Sequence, residues 1–243
     1  MNDETGEQPE SPSASAALGE ALSKAARRAG LDPDSGASTG QVVWRAIGGV
    51  RGIAESVVPT LLFVILFSLT RDLLVAVIAS VAAALVFTVL RLVVRQPFGA
   101  AVGGLIGALI AAGWALATGS AVDAFLWGLI VNAAYGLALL ITVVVGWPLV
   151  GLVAGFLMGE GTRWRADRRR RRVFGWLTLA WAGLFALRLG VQVPFYLGDD
   201  VEALGTWKLV LGIPPFALLL AATWWIVRRM YADRTTTEAE RTP

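Results

Sequence analysis

Apolar residues are not scattered along this chain but gathered into long runs. Six runs of about 18–25 residues stand out, at Val50–Leu69, Leu73–Val94, Phe98–Thr118, Ala124–Gly146, Val173–Leu197 and Trp207–Val227, and a helix needs roughly 20 residues to cross a ~30 Å hydrocarbon core. Only Thr70, Arg71 and Asp72 separate the first two, which leaves room for a tight turn. The pattern predicts an all-α fold, a polytopic membrane helix bundle of about six transmembrane helices, over residues 41–231. The flanking stretches, 1–40 and 232–243, are predicted to be disordered cytoplasmic tails. Within the first, "ASAALGEALSKAARRAG" has helical spacing, but its apolar face is mostly alanine and grips lipid weakly.

One apolar stretch, "WPLVGLVAGFLMGEG" at 147–161, is left over. Its roughly 12 apolar residues are too few to cross. Charge parity agrees. With the N-terminus inside, Arg45 and Arg51, Arg91 and Arg95, Arg163 to Arg172, and Arg228 and Arg229 all fall on the cytoplasmic side, as the arginine excess of inner loops requires. Arg71 with Asp72, then Asp123, and Asp199, Asp200 and Glu202 fall outside. A crossing at 147–161 would turn "RWRADRRRRR" outward. The stretch is therefore expected as one short re-entrant or half-helix.

Composition narrows the chemistry. The chain has 243 residues, 56% hydrophobic and 16% charged, with neither cysteine nor histidine. A Ser-His-Asp triad, a Cys-His dyad and a Cys/His metal cage are excluded by residue type. No metal site or cofactor is called for. No carboxylate pair sits on one helix at a membrane edge, so an enzyme is the weakest reading. Arginine greatly outnumbers lysine, with Lys24 and Lys208 the two lysines, a bias of GC-rich bacterial genomes. The N-terminal stretch lacks the basic and apolar regions of a signal peptide. Together these place the chain in a bacterial inner (plasma) membrane as a multi-pass protein with both termini cytoplasmic.

The polar residues inside the runs are the candidate site. Arg51 and Glu55 are i,i+4 neighbours able to pair, with Pro59 above them. Arg188 lies about nine residues from the outer end of its span, hence ~14 Å deep. Asn132 lies equally deep in the preceding, antiparallel span. Tyr135 is one turn further in and Gln192 one turn further out. Contact between Arg188 and Asn132 is expected, and no acid lies at their level. Three readings stay open for Arg188: glue bonded to carbonyls freed by prolines such as Pro214 and Pro215, the lining of a polar cavity, or a site for an anionic headgroup or solute. Glu160, between two glycines, is expected to turn toward Glu55 and Arg51. The run Arg168 to Arg172 is expected to hold anionic lipid headgroups, at roughly 1 kcal/mol per residue. Nucleic-acid binding has no aromatic-interleaved basic domain to support it. Glycines recur every four residues at Gly99, Gly103 and Gly107 and at Gly151, Gly155 and Gly159, a spacing that lets helices approach closely, within one chain or in a homo-oligomer.

At "GGVRGIAESVVP" (48–59), "VNAAYG" (131–136), "LMGEGTRWR" (157–165) and "FALRLGVQVPFYL" (185–197) the chain resembles an actinobacterial family of multi-pass membrane proteins known as a domain of unknown function. More loosely, in size and hairpin layout, it is similar to the intracellular septation protein A family. The resemblance implies a membrane bundle and no activity. Two function classes follow. One is an envelope-associated scaffold or lipid-interacting protein, which needs only spans, glycine faces and arginines. The other is a small-solute carrier or channel using a midplane polar site around Arg188 and Asn132. A hydrated cavity reaching Arg188 favours the carrier; a sealed bundle favours the scaffold.

Overall fold

The computed structural model describes Glu20, Ala21, Lys24, residues 38–93 and residues 99–239, with backbone alone at 99–101 and 232–239. Of the expected disordered tails, 1–40 and 232–243, most of 1–37 and all of 240–243 lie outside the described residues, while the backbone is helical at 39–40 and at 232–239. Nine helices follow in order among the described segments: α1 (Thr39–Ala46), α2 (Gly49–Thr70), α3 (Leu73–Val93), α4 (Gly99–Thr118), α5 (Asp123–Val144), α6 (Leu149–Leu157), α7 (Arg168–Leu197), α8 (Val201–Val210) and α9 (Ile213–Ala239), with a 3-10 turn at Arg163–Ala166. There is no strand among the described residues. The fold is an all-α bundle.

Among the described residues, five segments are long and apolar enough to cross a membrane: α2, α3, α5, α7, and Val201–Tyr231, which joins α8 to most of α9. α4, Gly99–Thr118, is an apolar helix of 20 residues whose first three are described by backbone alone. Local chemistry fixes the ends. Between α2 and α3, Arg71 takes a left-handed φ of 54° and its amide closes on Phe67 O at 2.8 Å. Asp72 then caps α3, its Oδ1 accepting from Leu74 N at 2.9 Å and Val75 N at 3.2 Å. These bonds satisfy amides that would otherwise be orphaned at a helix start.

α5 and α7 run antiparallel and form the most extensive helix contact. Gly136 lets them close: a Cβ there would lie 3.3 Å from Phe185 Cβ. α7 has 30 residues, about 45 Å at 1.5 Å per residue, against a ~30 Å hydrocarbon core. Its arginine-bearing end therefore overhangs, and the leftover apolar stretch covers that overhang. α6 has only 9 residues. Its first turn is held by Thr178 of α7, whose hydroxyl accepts from Val150 N at 3.2 Å and donates to Phe174 O at 2.8 Å. Trp164, fully buried, stacks edge-on against Phe174 at 5.2 Å under Gly151 and Gly155.

The last span departs from expectation. The sequence suggested one helix from Trp207 to Val227. Instead α8 begins earlier, at Val201, where Asp200 accepts from Ala203 N at 2.9 Å. It then stops at Val210, and α9 starts afresh at Ile213. Pro214 and Pro215 have no N–H to donate back to Val210 and Leu211, so the helix cannot run through. At the opposite end of the bundle from the arginines, a core of Phe63, Phe125, Val201 and Leu204 binds α2, α5 and α8. Gly205 makes that crossing possible, since a Cβ there would lie 2.2 Å from Val64 Cγ2.

The glycine repeats divide. Gly151 and Gly155 face Trp164, with contacts as short as 2.8 and 2.6 Å to its ring for an added Cβ. Gly159 instead serves a turn, at φ +72° with open space around it. Gly103 has nothing within 4 Å of an added Cβ, and Gly107 meets only Trp127 at 3.6 Å; Gly99 opens α4 at a position described by backbone alone. This contrast generates a test. Gly155→Ala places a methyl 2.2 Å from Gly161 O and is expected to cost about 1–3 kcal/mol, the usual price of overpacking. Gly103→Ala is expected to leave thermal stability in detergent unchanged or slightly raised. Equal melting temperatures for the two variants would contradict the packing described.

Candidate functional site

Arg188 sits on α7 about nine residues from Leu197, ~14 Å along the bundle from that end. In a bilayer an arginine at this level costs ~2.5–3.5 kcal/mol. The break between α8 and α9 answers that cost. Arg188 Nε donates to Leu211 O at 2.7 Å and Nη2 donates to Gly212 O at 2.8 Å. Hydrogen bonds from a charged donor contribute about 1.5–3 kcal/mol each, so two of them match or exceed the insertion cost. Leu211 O is the carbonyl that Pro215 leaves without a helical donor. The guanidinium also lies 5.6 Å from the Phe185 ring centroid. Arginine and break thus complete each other: one brings surplus donors, the other surplus acceptors.

The break opens a cavity of about 230 Å³. Its polar lining comes from four helices: Ser56 and Thr60 of α2, Asn132 of α5, Arg188 and Gln192 of α7, and Lys208 of α8. Val57, Phe125, Leu209 and Ile213 supply apolar wall. Helical spacing explains the convergence, because 56 and 60, and 188 and 192, are one turn apart on single faces. Gln192 is only 5% exposed and, like Asn132, has no hydrogen-bond partner among the described residues. Ser56 donates to Ile53 O at 2.9 Å, which leaves its lone pairs toward the cavity. The Lys208 ammonium lies 5.1 Å from the Phe125 ring centroid and forms no ion pair among the described residues. No carboxylate lines the cavity.

The expected contact between Arg188 and Asn132 takes a different form. The two share the cavity wall, but the bonds found for the guanidinium go to the broken backbone. Tyr135 is largely exposed and packs on Phe185 at 5.7 Å, outside the cavity lining.

The remaining candidates belong to two ionic clusters at the arginine end. Arg51 Nε meets Glu55 Oε1 at 3.0 Å, and Arg91 of α3 closes on the other oxygen of Glu55. Glu160 finds its partner on α7: Arg170 Nη1 donates to both its carboxylate oxygens, at 3.1 and 2.9 Å, and Arg170 Nη2 donates to Met230 O at 3.1 Å. Arg170 is therefore turned into the protein, with its guanidinium 4.8 Å from the Tyr231 ring centroid. Arg168, Arg169, Arg171 and Arg172 are exposed. At the other end, Tyr196 donates to Asp123 at 2.5 Å and Arg71 approaches Glu202 at 3.4 Å.

Lys208, Ser56 and Thr60 are the site residues that sequence reasoning missed. The expected start at Trp207 put Lys208 at a membrane edge. The N-cap at Asp200 moves that start back to Val201, two turns before Lys208, which is exposed along its length but brings its ammonium over Phe125. The sequence "DDVEA" held this signal, an acidic N-cap followed by a helix.

Residues 47–234 match the family described as "Protein of unknown function (DUF3159)". No curated protein and no solved structure matches the chain.

The Arg188 geometry predicts an ordered series. Arg188→Met leaves the carbonyl of Leu211 without a donor and removes the second bond to Gly212 O, and is expected to destabilise the fold by ~2 kcal/mol. Arg188→Lys keeps the charge but loses the planar fork, and its stability is expected to fall between the two. Thermal denaturation in detergent reads all three. A methionine variant as stable as the wild type would remove the cap from the account.

Proposed function

The chain belongs to the DUF3159 family of proteins of unknown function, and from that premise we propose that it is a multi-pass protein of the bacterial inner membrane that binds a small anionic solute in the cavity beside Arg188, in the manner of a carrier. The observation that carries this reading is the cavity itself. Two cationic side chains, two carboxamides and two hydroxyls line it, and no carboxylate does. A concave site lined by positive charge attracts anions more strongly than a flat patch does. The broken span supports the carrier form of the reading, because discontinuous helices that expose backbone at a polar cavity are a recurring way to build solute sites at mid-membrane. The ring of apolar wall around the polar groups supports a small ligand rather than an open water channel.

The scaffold or lipid-interacting reading keeps one favourable observation. Arg168, Arg169, Arg171 and Arg172 are exposed in one stretch, a surface suited to anionic headgroups. That surface and the cavity are compatible, but only the cavity has an interior shaped for a ligand.

The topology that goes with this reading puts the arginine end and both termini in the cytoplasm. Cysteines introduced at Thr237 and Asp200 are expected to react with impermeant reagents from inside and outside respectively. Outside labelling at Thr237 would reverse the orientation.

Binding is tested by thermal shift of the purified protein against a panel of small anions, namely acetate, phosphate, sulfate and succinate, with sodium gluconate as the ionic-strength control. At least one is expected to raise the melting temperature of the wild type by several degrees, and none that of Lys208→Met. A flat response across the panel, with the protein folded, would leave the scaffold reading in its place.

A further inference from the structure

From the charges around the cavity we infer that its ligand carries a doubly ionised phosphate group, a phosphate monoester or free phosphate, in preference to any singly charged anion. The inference rests on the anion-cavity reading and adds a valence to it.

Charge accounting comes first. Arg188 and Lys208 bring two positive charges to one cavity of about 230 Å³. Every acid on the neighbouring helices is engaged elsewhere. Glu55, one residue before the lining Ser56, is held by Arg51 and Arg91. Asp123 accepts from Tyr196. Glu202, on the same helix as Lys208, faces Arg71, and Asp200 caps that helix. A monoanion would leave one of the two cations without a counter-charge. A dianion neutralises both.

Donor geometry comes second. Arg188 spends Nε and one N–H of Nη2 on the break, which leaves the Nη1 edge for a ligand. Arginine suits phosphate oxygens through such paired N–H groups, and lysine binds phosphate as a compact point charge. Gln192, nearly fully buried without a partner, and Asn132 add carboxamide donors from two sides. Donors from α5, α7 and α8 approach from separate directions, which matches three or four oxygens arranged around one centre better than the two coplanar oxygens of a carboxylate.

The test uses pairs of probes that differ by one charge. Isothermal titration of the full-length protein, purified in uncharged detergent at pH 7.5, compares methyl phosphate with dimethyl phosphate and sulfate with methyl sulfate. Each dianion is expected to bind at least tenfold more tightly than its monoanionic partner. Lowering the pH to 5, below the monoester's second ionisation at about pH 6, is expected to weaken methyl phosphate and spare sulfate. Lys208→Met is expected to bring each pair within about twofold, while Lys208→Arg keeps the preference. Where Lys208→Met does not fold, the wild-type pairs and the pH arm carry the test alone. A free solute and a lipid headgroup are separated in nanodiscs. Phosphatidic acid, a monoester, competes with methyl phosphate if the source is lipid and leaves it unaffected if the source is soluble. Phosphatidylglycerol, a diester, is expected not to compete in either case. Equal binding within both pairs would overturn the valence and leave the anion reading standing. Absence of binding by all four probes would overturn both.

Discussion

The structure turns on two hydrogen bonds, from Arg188 to the carbonyls of Leu211 and Gly212. In a bilayer, an unpaired backbone carbonyl and an unpaired guanidinium are each costly, and neither can turn to bulk water. The prolines at 214 and 215 make the first problem unavoidable by removing two donors from the last span. Arg188 makes the second. Placed level with each other on neighbouring segments, they offset one another. This explains how a break and a charge persist inside two apolar spans.

Much of the local architecture follows from the break. Because the last span is split, α8 is free to cross α2 at its own angle, and Gly205 sits directly against Val64 there. Because α8 starts at Val201, capped by Asp200, and ends at Val210, Lys208 brings its ammonium to Phe125 beside the cavity. The gap between the half-helices becomes part of the cavity wall at Gly212 and Ile213. The charged groups at the arginine end are arranged differently. There Glu55 is held by two arginines and Glu160 by Arg170, and these ion pairs tie neighbouring helices together.

What could be read from sequence was mostly what hydropathy controls. Both ends of α2 and α5, the start of α3 and the end of α4 fall within a residue or two of the apolar runs, because insertion into lipid depends on run length; the expected bounds at Val94 and Phe98 lie outside the described residues. The short α6 was legible from length and charge parity, and the Arg51–Glu55 pair from its spacing. The last span was not legible, because its apolar run continues unbroken through Leu211 and Gly212 while its hydrogen bonding does not. Hydropathy is blind to a missing N–H. The partners of Arg188 followed from the same gap: depth placed it beside Asn132, yet proline chemistry supplied better acceptors. Glu160 and Arg170, ten residues apart in a turn-rich stretch, could not be paired from helical periodicity at all.

The central claim is that the break and Arg188 are energetically one unit, and a double-mutant cycle tests it most directly. Replacing Pro214 and Pro215 together by alanine restores the amides that Val210 and Leu211 lack. If the account holds, Arg188→Met costs at least ~1 kcal/mol less in that healed background than in the wild type, because one of the carbonyls it abandons has regained a donor. The same cost in both backgrounds, measured by reversible unfolding in detergent, would show that arginine and break are independent, and would contradict the account.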